Sequence, residues 1–266
     1  MPAKRPVALV TGASSGIGAA LADRLAHDGF DLVVVARRRE RLVELAERLQ
    51  RETGAQVEVL VADLAELEGL RRVEERAATD QPLSLLVNNA GFSGYGPFAD
   101  IDPETLQRLI GVHVLAPARL CRAALPGMIA RRQGALVNVA SLLALSGPLQ
   151  LPMMGHSTYA GAKSFLLTFT QALARELEGT GVQAMVCLPG IVESEFHGPN
   201  PTWRAGLPIL SSPDVAQAIL AGLERREVVC GPALEDVSIF DRLRDLQQAA
   251  MRGGNCGDLA ERYRRG

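Results

Sequence analysis

A tyrosine and a lysine four residues apart, Tyr159 and Lys163, are the first candidates for chemistry in this chain. The stretch from Ser157 to Glu178 has the apolar spacing of a helix, so both side chains leave one face, one turn apart. Moving the pKa of a phenol from about 10 to about 7 takes about 4 kcal/mol. A cation about 4 Å away, at an effective dielectric of about 20, supplies an interaction of that size. The position of Lys163 therefore predicts that Tyr159 exchanges protons near neutral pH. The same spacing also occurs by chance on many helices.

A glycine-rich turn near the start of the chain is the second candidate. It joins a short buried strand, Val7 to Val10, to a helical pattern from Gly16 to Asp28. Glycines let the backbone approach a pyrophosphate closely, and the helix behind them offers free N–H groups and a positive dipole end. The turn predicts nucleotide binding, with a purely structural turn as the alternative. The predicted contacts are Gly12, Ser14, Ser15, Gly16, Ile17 and Gly18.

The end of the second strand indicates which nucleotide fits. A carboxylate at this position is typical of NAD sites, but Asp31 lies at the opposite end of this strand. The strand is followed instead by arginines, whose guanidinium groups can hold a phosphate through paired N–H donors. We therefore predict NADP(H), with Arg37 as the preferred phosphate ligand and Arg38 as the second. Arg39 and Arg41 are more simply interpreted as the solvated start of a helix.

Strands and helices alternate along the chain, which predicts an α/β fold with a doubly wound parallel sheet and helices on both faces. No repeat or linker divides it, so we expect a single domain. The predicted strands are residues 7–10, 31–36, 57–62, 84–87, 135–139, 183–188 and 228–230. The predicted helices are residues 16–28, 38–53, 67–78, 103–132, 157–178 and 234–251.

Composition excludes several classes of function. The chain has 266 residues, of which 47% are hydrophobic and 22% charged, and its net charge is -2. This balance offers no basic field for nucleic acid. The four cysteines are far apart, so we predict no metal site and a reducing, cytoplasmic location. We see no signal sequence and no apolar run long enough to cross a membrane.

Further motifs follow the remaining strands, and the whole set resembles the short-chain dehydrogenase/reductase family over roughly residues 6 to 230. The motifs are the glycine-rich turn, Asp63-Leu64, Asn88-Asn89-Ala90-Gly91, Ser141, Tyr159 with Lys163, and Pro189-Gly190. The resemblance implies a Rossmann-type sheet of seven strands and nicotinamide-dependent conversion between a carbonyl and an alcohol.

By the same resemblance, each motif has an expected role. Asp63 and Leu64 would contact the adenine, and Lys163 would also bind the nicotinamide ribose. The residues expected to border the adenosine ribose and the centre of the sheet are Asn89, Ala90 and Gly91. Those expected around the carboxamide are Pro189, Gly190, Ile191 and Val192. Ser141 could donate a hydrogen bond to a substrate carbonyl while Tyr159 protonates the developing alkoxide, although Ser141 alone could be a helix cap and Pro189-Gly190 a turn.

Three features depart from the family pattern. His113 stands where the family often has an asparagine that steadies a proton relay, so it is either a donor or shuttle or a packed core histidine. An extended segment that includes residues 150–156 separates Ser141 from Tyr159. It is either a surface insertion or, through its methionines, a wall of the pocket or a subunit contact. The end of the chain, 234–266, reads as an amphipathic helix and a charged tail, which leaves a homodimer and a homotetramer both open.

The substrate pocket is expected between residues 92–98, 142–158 and the irregular loop 193–212, with Phe196, Trp203 and Leu207 in the loop. Its apolar content favours an apolar or aromatic small molecule. The leading hypothesis is an NADP-dependent carbonyl reductase or alcohol dehydrogenase. The alternatives are a 3-oxoacyl reductase for carrier-bound chains and an NADP-binding sensor or scaffold without catalysis.

Overall fold

The computed structural model describes residues 5–79, 83–149, 155–197 and 206–264. The chain forms two compact units, with the boundary between Pro232 and Ala233. That both units belong to one domain stays a prediction. The methionines for which a pocket or subunit contact is predicted, and Trp203 of the loop 193–212, lie outside the described residues.

Seven parallel strands form one sheet in the first unit. They pair in the order β3-β2-β1-β4-β5-β6-β7, so the order reverses between β1 and β4, where open sheets of this type bind ligands. The predicted doubly wound, Rossmann-type sheet is therefore confirmed. The strands are β1 (Val7–Thr11), β2 (Asp31–Ala36), β3 (Val57–Val61), β4 (Leu83–Asn88), β5 (Gly134–Val139), β6 (Val182–Cys187) and β7 (Val229–Cys230).

Helices connect the strands and cover the sheet. In the first unit they are α1 (Gly16–His27), α2 (Arg39–Thr53), α3 (Leu67–Ala77), α4 (Pro103–Ile110), α5 (Ala116–Arg131), α6 (Ser157–Glu176) and α7 (Ser212–Glu224). The helix α7 was not predicted, because the sequence analysis assigned no element between the loop ending at residue 212 and the strand at 228–230. Its start nevertheless carries a capping signal, since the Ser211 hydroxyl accepts from the Asp214 N–H at 3.1 Å.

Two hydrophobic cores lie on opposite faces of the sheet because successive strand residues point to opposite sides. In β1, Ala8 and Val10 pack into the core beneath α1, α2 and α7. The neighbouring Val7 and Leu9 pack into the core beneath α3, α5 and α6. Both faces are covered, which explains why the strands read as continuous apolar runs.

The predicted helix from 103 to 132 is divided in the structure. A π-helical turn, Gly111–Leu115, separates α4 from α5 and carries the buried His113. Within the stretch Pro103–Arg131, a window of 18 residues has a mean hydropathy of 1.2, so by length and composition alone the stretch could cross a membrane. This corrects the expectation that no run reaches that length. Leu120 and Cys121 are fully buried beneath the sheet, and a core helix passes the same test.

The second unit, described by itself, begins with the helix α8 (Ser238–Gly254). It starts four residues later and ends three residues later than the predicted 234–251. Its apolar residues Ile239, Leu246 and Met251 are exposed within the chain.

Candidate active site

A cleft of about 840 Å³ runs along the carboxyl ends of the strands. It brings together nearly every site residue predicted from the sequence. Those that line it are Gly12, Ser14, Ser15, Gly16, Ile17, Arg37, Arg38, Asp63, Leu64, Asn89, Ala90, Gly91, Ser141, Tyr159, Lys163, Pro189, Gly190, Ile191 and Val192. Of the predicted set, Gly18 and His113 do not line the cleft.

The glycine-rich turn is fixed to the end of β4. Gly12 has a φ of 70°, which favours glycine, and a Cβ there would lie 2.7 Å from Asn89 Nδ2. The Asn89 amide donates to the Thr11 carbonyl at 3.0 Å, and a Cβ on Gly18 would collide with the Gly12 carbonyl. Gly12 and Gly18 therefore allow the turn, α1 and β4 to pack closely, whereas Ser14 to Ile17 face the cleft.

The start of α1 fits an anionic group. Ser15 is the N-cap residue, but its hydroxyl makes no capping hydrogen bond. It accepts instead from Arg38 Nη2 at 2.6 Å, and the Ser14 hydroxyl accepts from the same nitrogen at 2.9 Å. The first N–H groups of α1 are thus left without their usual side-chain cap, which suits a pyrophosphate at a helix N-terminus.

The arginines differ in position from what the sequence suggested. Arg38 faces the serines of the turn, whereas Arg37 Nη1 lies 3.8 Å from the Asp63 carboxylate. Arg41 is not merely solvated, because its Nη1 lies 2.8 Å from both carboxylate oxygens of Glu195. Arg38 Nη1 also binds Glu195, at 2.6 Å.

Asp63 and Leu64 lie at the end of β3, where the adenine is expected. The Asp63 carboxylate accepts from Arg108 Nη2 at 2.7 Å and from the Ala65 N–H at 3.0 Å. Burial alone would raise the pKa of Asp63, but these two donors hold it below its ordinary value. The Asp63 carboxylate therefore stays charged and anchors Arg108 beside the cleft.

Tyr159, Lys163 and Ser141 meet beside β5. The Lys163 ammonium donates to the Val139 carbonyl at 2.8 Å and lies 5.5 Å from the centre of the Tyr159 ring. The Ser141 hydroxyl is near enough to the Tyr159 hydroxyl to lower the pKa of the phenol. Ser141 also accepts from the Leu143 N–H at 3.2 Å, so it is a cap as well as a neighbour of the phenol.

The expected lowering of the Tyr159 pKa does not occur in the protein alone. Burial raises the pKa of Tyr159 far above its ordinary value, Tyr95 adds to the rise, and the nearby Ser141 hydroxyl opposes it. Burial also lowers the pKa of Lys163 to about 7. The Coulomb attraction between the two charges would by itself lower the pKa of Tyr159. Both side chains are removed from water, however, and this burial disfavours both charges.

His113 lies against the backbone of Gly91 and Phe92. Its Nε2 is 2.9 Å from the Phe92 carbonyl oxygen and 3.2 Å from the Phe92 nitrogen. Burial lowers the pKa of His113 to about 3, with the Lys163 charge adding to the fall. The imidazole is therefore neutral at neutral pH, which corrects the argument for a shuttle from a pKa near 6.5. Its buried Nδ1 has no partner among the described residues, so a relay role stays a prediction.

Aromatic rings surround Tyr159. The ring centres of Tyr95, His113 and Phe196 lie 5.3, 5.4 and 5.8 Å from that of Tyr159 in edge-on arrangements. Phe92, Leu142 and Leu207 also line this end of the cleft. Tyr95 was named only as part of the range 92–98, and its contact with the central phenol could not be predicted from spacing.

A buried polar network behind Tyr159 was not predicted at all. The Asn88 amide donates to Asn138 Oδ1 at 2.9 Å, and the Asn138 amide donates to the Thr170 hydroxyl at 2.9 Å. It ties β4 and β5 to α6, the helix that carries Tyr159 and Lys163.

Comparison with known proteins agrees with this geometry. The sequence profile of the short chain dehydrogenase family matches residues 6–205. A short chain dehydrogenase of Pseudocercospora fijiensis is 38% identical over 198 residues, which are 73% of this chain but only 62% of that protein. A short-chain dehydrogenase from Sphingobium yanoikuyae, solved in complex with NADPH, has a TM-score of 0.88 at 36% identity, over 97% of this chain and 100% of that one. The bulky-bulky ketone specific alcohol dehydrogenase from Comamonas testosteroni has a TM-score of 0.87 at 33% identity, over 97% of this chain and 98% of that one.

Proposed function

The chain belongs to the short-chain dehydrogenase family, and we propose that it is an NADP(H)-dependent oxidoreductase that interconverts bulky apolar ketones and secondary alcohols. The observation that carries this proposal is one cleft with two chemically different ends. Arginines and serines line one end, and Ser141 and Tyr159 lie among apolar side chains at the other. Residence in the cytoplasm and assembly into a homodimer or homotetramer remain predictions.

The adenosine end suits NADP(H). The N–H groups at the start of α1 would hold the pyrophosphate. Arg38, which already binds two serine hydroxyls of the turn, would hold the 2′-phosphate, with Arg37 at the neighbouring position. The NADPH in the Sphingobium relative supports this choice of nucleotide.

The chemistry rests on two hydroxyl groups. Bound NADPH would supply a hydride to the carbonyl carbon. Ser141 donates a hydrogen bond to the carbonyl oxygen, and Tyr159 delivers the proton as negative charge develops there. The high pKa of Tyr159 in the protein alone keeps its proton in place until that charge develops. Lys163 holds α6 against β5 through the Val139 carbonyl and would bind the nicotinamide ribose when the nucleotide is present.

The substrate end favours uncharged, bulky molecules. Its walls include Phe92, Tyr95 and Phe196, and the lysine beneath them is already bonded to the backbone. A free carboxylate or phosphate on the substrate would find no exposed cation among the described residues of this end. The name of the Comamonas relative, specific for bulky-bulky ketones, supports the same class.

The test is a panel of ketones followed by NADPH absorbance and repeated with NADH. We expect the highest kcat/KM for ketones with aryl or alkyl groups on both sides of the carbonyl, and a clear preference for NADPH. Tyr159→Phe should lower kcat by at least about 100-fold and change the Kd for NADPH less than twofold. Tyr263→Phe, which alters an exposed phenol of the second unit, is the matched control. Turnover retained in Tyr159→Phe would exclude this phenol as the proton donor.

The nucleotide preference is tested separately. Arg38→Ala should raise the KM for NADPH at least about tenfold while leaving that for NADH nearly unchanged. Arg37→Ala should have a smaller effect of the same kind. Equal changes for both nucleotides would contradict the phosphate role of these arginines.

A further inference from the structure

The end of the cleft assigned to the 2′-phosphate is bridged by a carboxylate of the chain itself. Glu195 receives hydrogen bonds from Arg38 at 2.6 Å and from Arg41 at 2.8 Å to each of its oxygens. The same Arg38 group binds the hydroxyls of Ser14 and Ser15. Two guanidinium groups bind the anionic oxygens and two hydroxyls hold one of these groups in place, which is an arrangement that suits a phosphate.

This carboxylate comes from the far side of the cleft. Glu195 lies 157 residues from Arg38 in the sequence and begins the short turn Glu195–His197. The next residue, Phe196, packs edge-on against the ring of Tyr159, with the ring centres 5.8 Å apart. One short segment thus contacts both the arginines of the nucleotide end and the phenol of the substrate end.

We propose that Glu195 is an internal competitor for the 2′-phosphate and couples its binding to the segment that carries Phe196. This inference rests on the proposed preference for NADP(H). A bound 2′-phosphate and the Glu195 carboxylate cannot share Arg38 and Arg41 without strong repulsion between like charges. The phosphate therefore displaces Glu195 and releases the turn at residues 195–197. NAD(H) has no 2′-phosphate and leaves the ion pairs in place.

The effect on affinity is modest because all three side chains are substantially exposed. Exposed ion pairs stabilise little, and the contact from Arg38 at 2.6 Å is the shortest in this group. We expect Glu195→Gln to bind a 2′-phosphate about three- to tenfold more tightly than the wild type. A ligand that lacks this phosphate should bind both proteins equally.

The experiment uses nucleotide fragments without nicotinamide, so it does not depend on turnover. Isothermal titration of the full chain with adenosine 2′,5′-bisphosphate and with 5′-AMP gives the affinity due to the 2′-phosphate. It is repeated with Glu195→Gln and with the control Glu193→Gln. The control removes the same charge two residues away, from a side chain that has no ion pair with the described part of the chain. Thermal unfolding confirms that each variant is folded.

The outcomes separate the two proposals. If the wild type binds both fragments equally, the proposed preference for NADP(H) fails. If it prefers the bisphosphate and Glu195→Gln binds that fragment three- to tenfold more tightly, with Glu193→Gln unchanged, the competition is supported. If Glu195→Gln binds it no better, or more weakly, the inference is overturned while the preference stands. Weaker binding would mean that Glu195 orients the arginines for the phosphate.

Hydrogen exchange measures the coupling to the substrate end. Saturation of the wild type with the bisphosphate should increase exchange in peptides that cover residues 191–197, whereas 5′-AMP should not. In Glu195→Gln the exchange should be high from the start and respond to neither fragment. Equal responses of both proteins would contradict the coupling.

Discussion

Replacement of Lys163 by methionine should stabilise the protein while destroying its activity. Lys163 is buried, and burial lowers its pKa from 10.5 to about 7. Each pKa unit corresponds to about 1.4 kcal/mol, so the charged form costs the folded state about 5 kcal/mol at most. Methionine has a similar length and no charge, but it loses the hydrogen bond to the Val139 carbonyl. We therefore expect a net gain of about 2–4 kcal/mol in the free energy of unfolding at pH 6.

The pH dependence distinguishes this effect from ordinary packing. Between pH 7 and 10.5 the unfolded lysine holds a proton that the folded lysine has lost. In that window the stability of the wild type rises by about 1.4 kcal/mol per pH unit relative to the variant. Below pH 7 both states hold the proton, and the difference is constant. The advantage of Lys163→Met is thus largest below pH 7 and shrinks above it.

The assay is urea unfolding of both proteins at pH 6, 7, 8 and 9 without nucleotide. In the folded state His113, with a pKa of about 3, and Tyr159, with a pKa far above its ordinary value, do not titrate in this window. Their titration in the unfolded state is common to both proteins and cancels in the difference. The control is Arg175→Met, which removes an exposed cation from the same helix and should give a difference that does not vary with pH.

A direct measurement of the pKa is also simple, because Lys4 and Lys163 are the chain's two lysines. Labelling of lysine ε-carbons gives two signals, and the one that Lys163→Met removes should titrate near pH 7. Titration of that signal above pH 10, or a stability difference that is the same at every pH, would refute the reasoning.

Three further substitutions test the surroundings of the site. His113→Asn should keep or raise kcat with NADPH, and a total loss of turnover would show that the histidine has another role. Gly91→Ala places a Cβ against the His113 ring and should lower the free energy of unfolding, measured in urea, by about 1–3 kcal/mol. The double variant with His113→Asn should recover most of this loss. If it recovers none, the strain does not come from the His113 ring. Asn138→Ala removes the acceptor that lies 2.9 Å from the Asn88 amide and the donor to the Thr170 hydroxyl, which keeps its own bond to the Leu166 carbonyl. It should lower the free energy of unfolding by about 1–3 kcal/mol, whereas a loss well below about 1 kcal/mol would mean that water replaces the amide.

The sheet could be predicted because the apolar pattern that specifies each strand is local and recurs along the chain. Strands buried on both faces read as apolar runs, and the motifs follow the ends of those runs. The predicted strand at 31–36 therefore agrees with β2. Residue patterns also predicted that Ser14, Tyr159 and Gly190 belong to one site, and all three line the cleft.

What could not be predicted depends on distance and solvent. No local pattern pairs Glu195 with Arg38, because the contact forms only when the chain has folded. The rise in the Tyr159 pKa depends on how much water the packed rings exclude, which spacing along a helix does not report. The helix α7 was left unassigned although its cap, Ser211 followed by Asp214, is visible in the sequence.

The wide turn at Gly111–Leu115 holds one residue more than an α-helical turn would. Because the extra residue is absorbed there, Leu109 before the turn and Leu120 after it both keep buried positions. Removal of one residue from the turn would let α4 and α5 join as a regular helix, whereas a further residue would rotate one against the other by about 100°. The chain should therefore accept a shorter turn far more readily than a longer one.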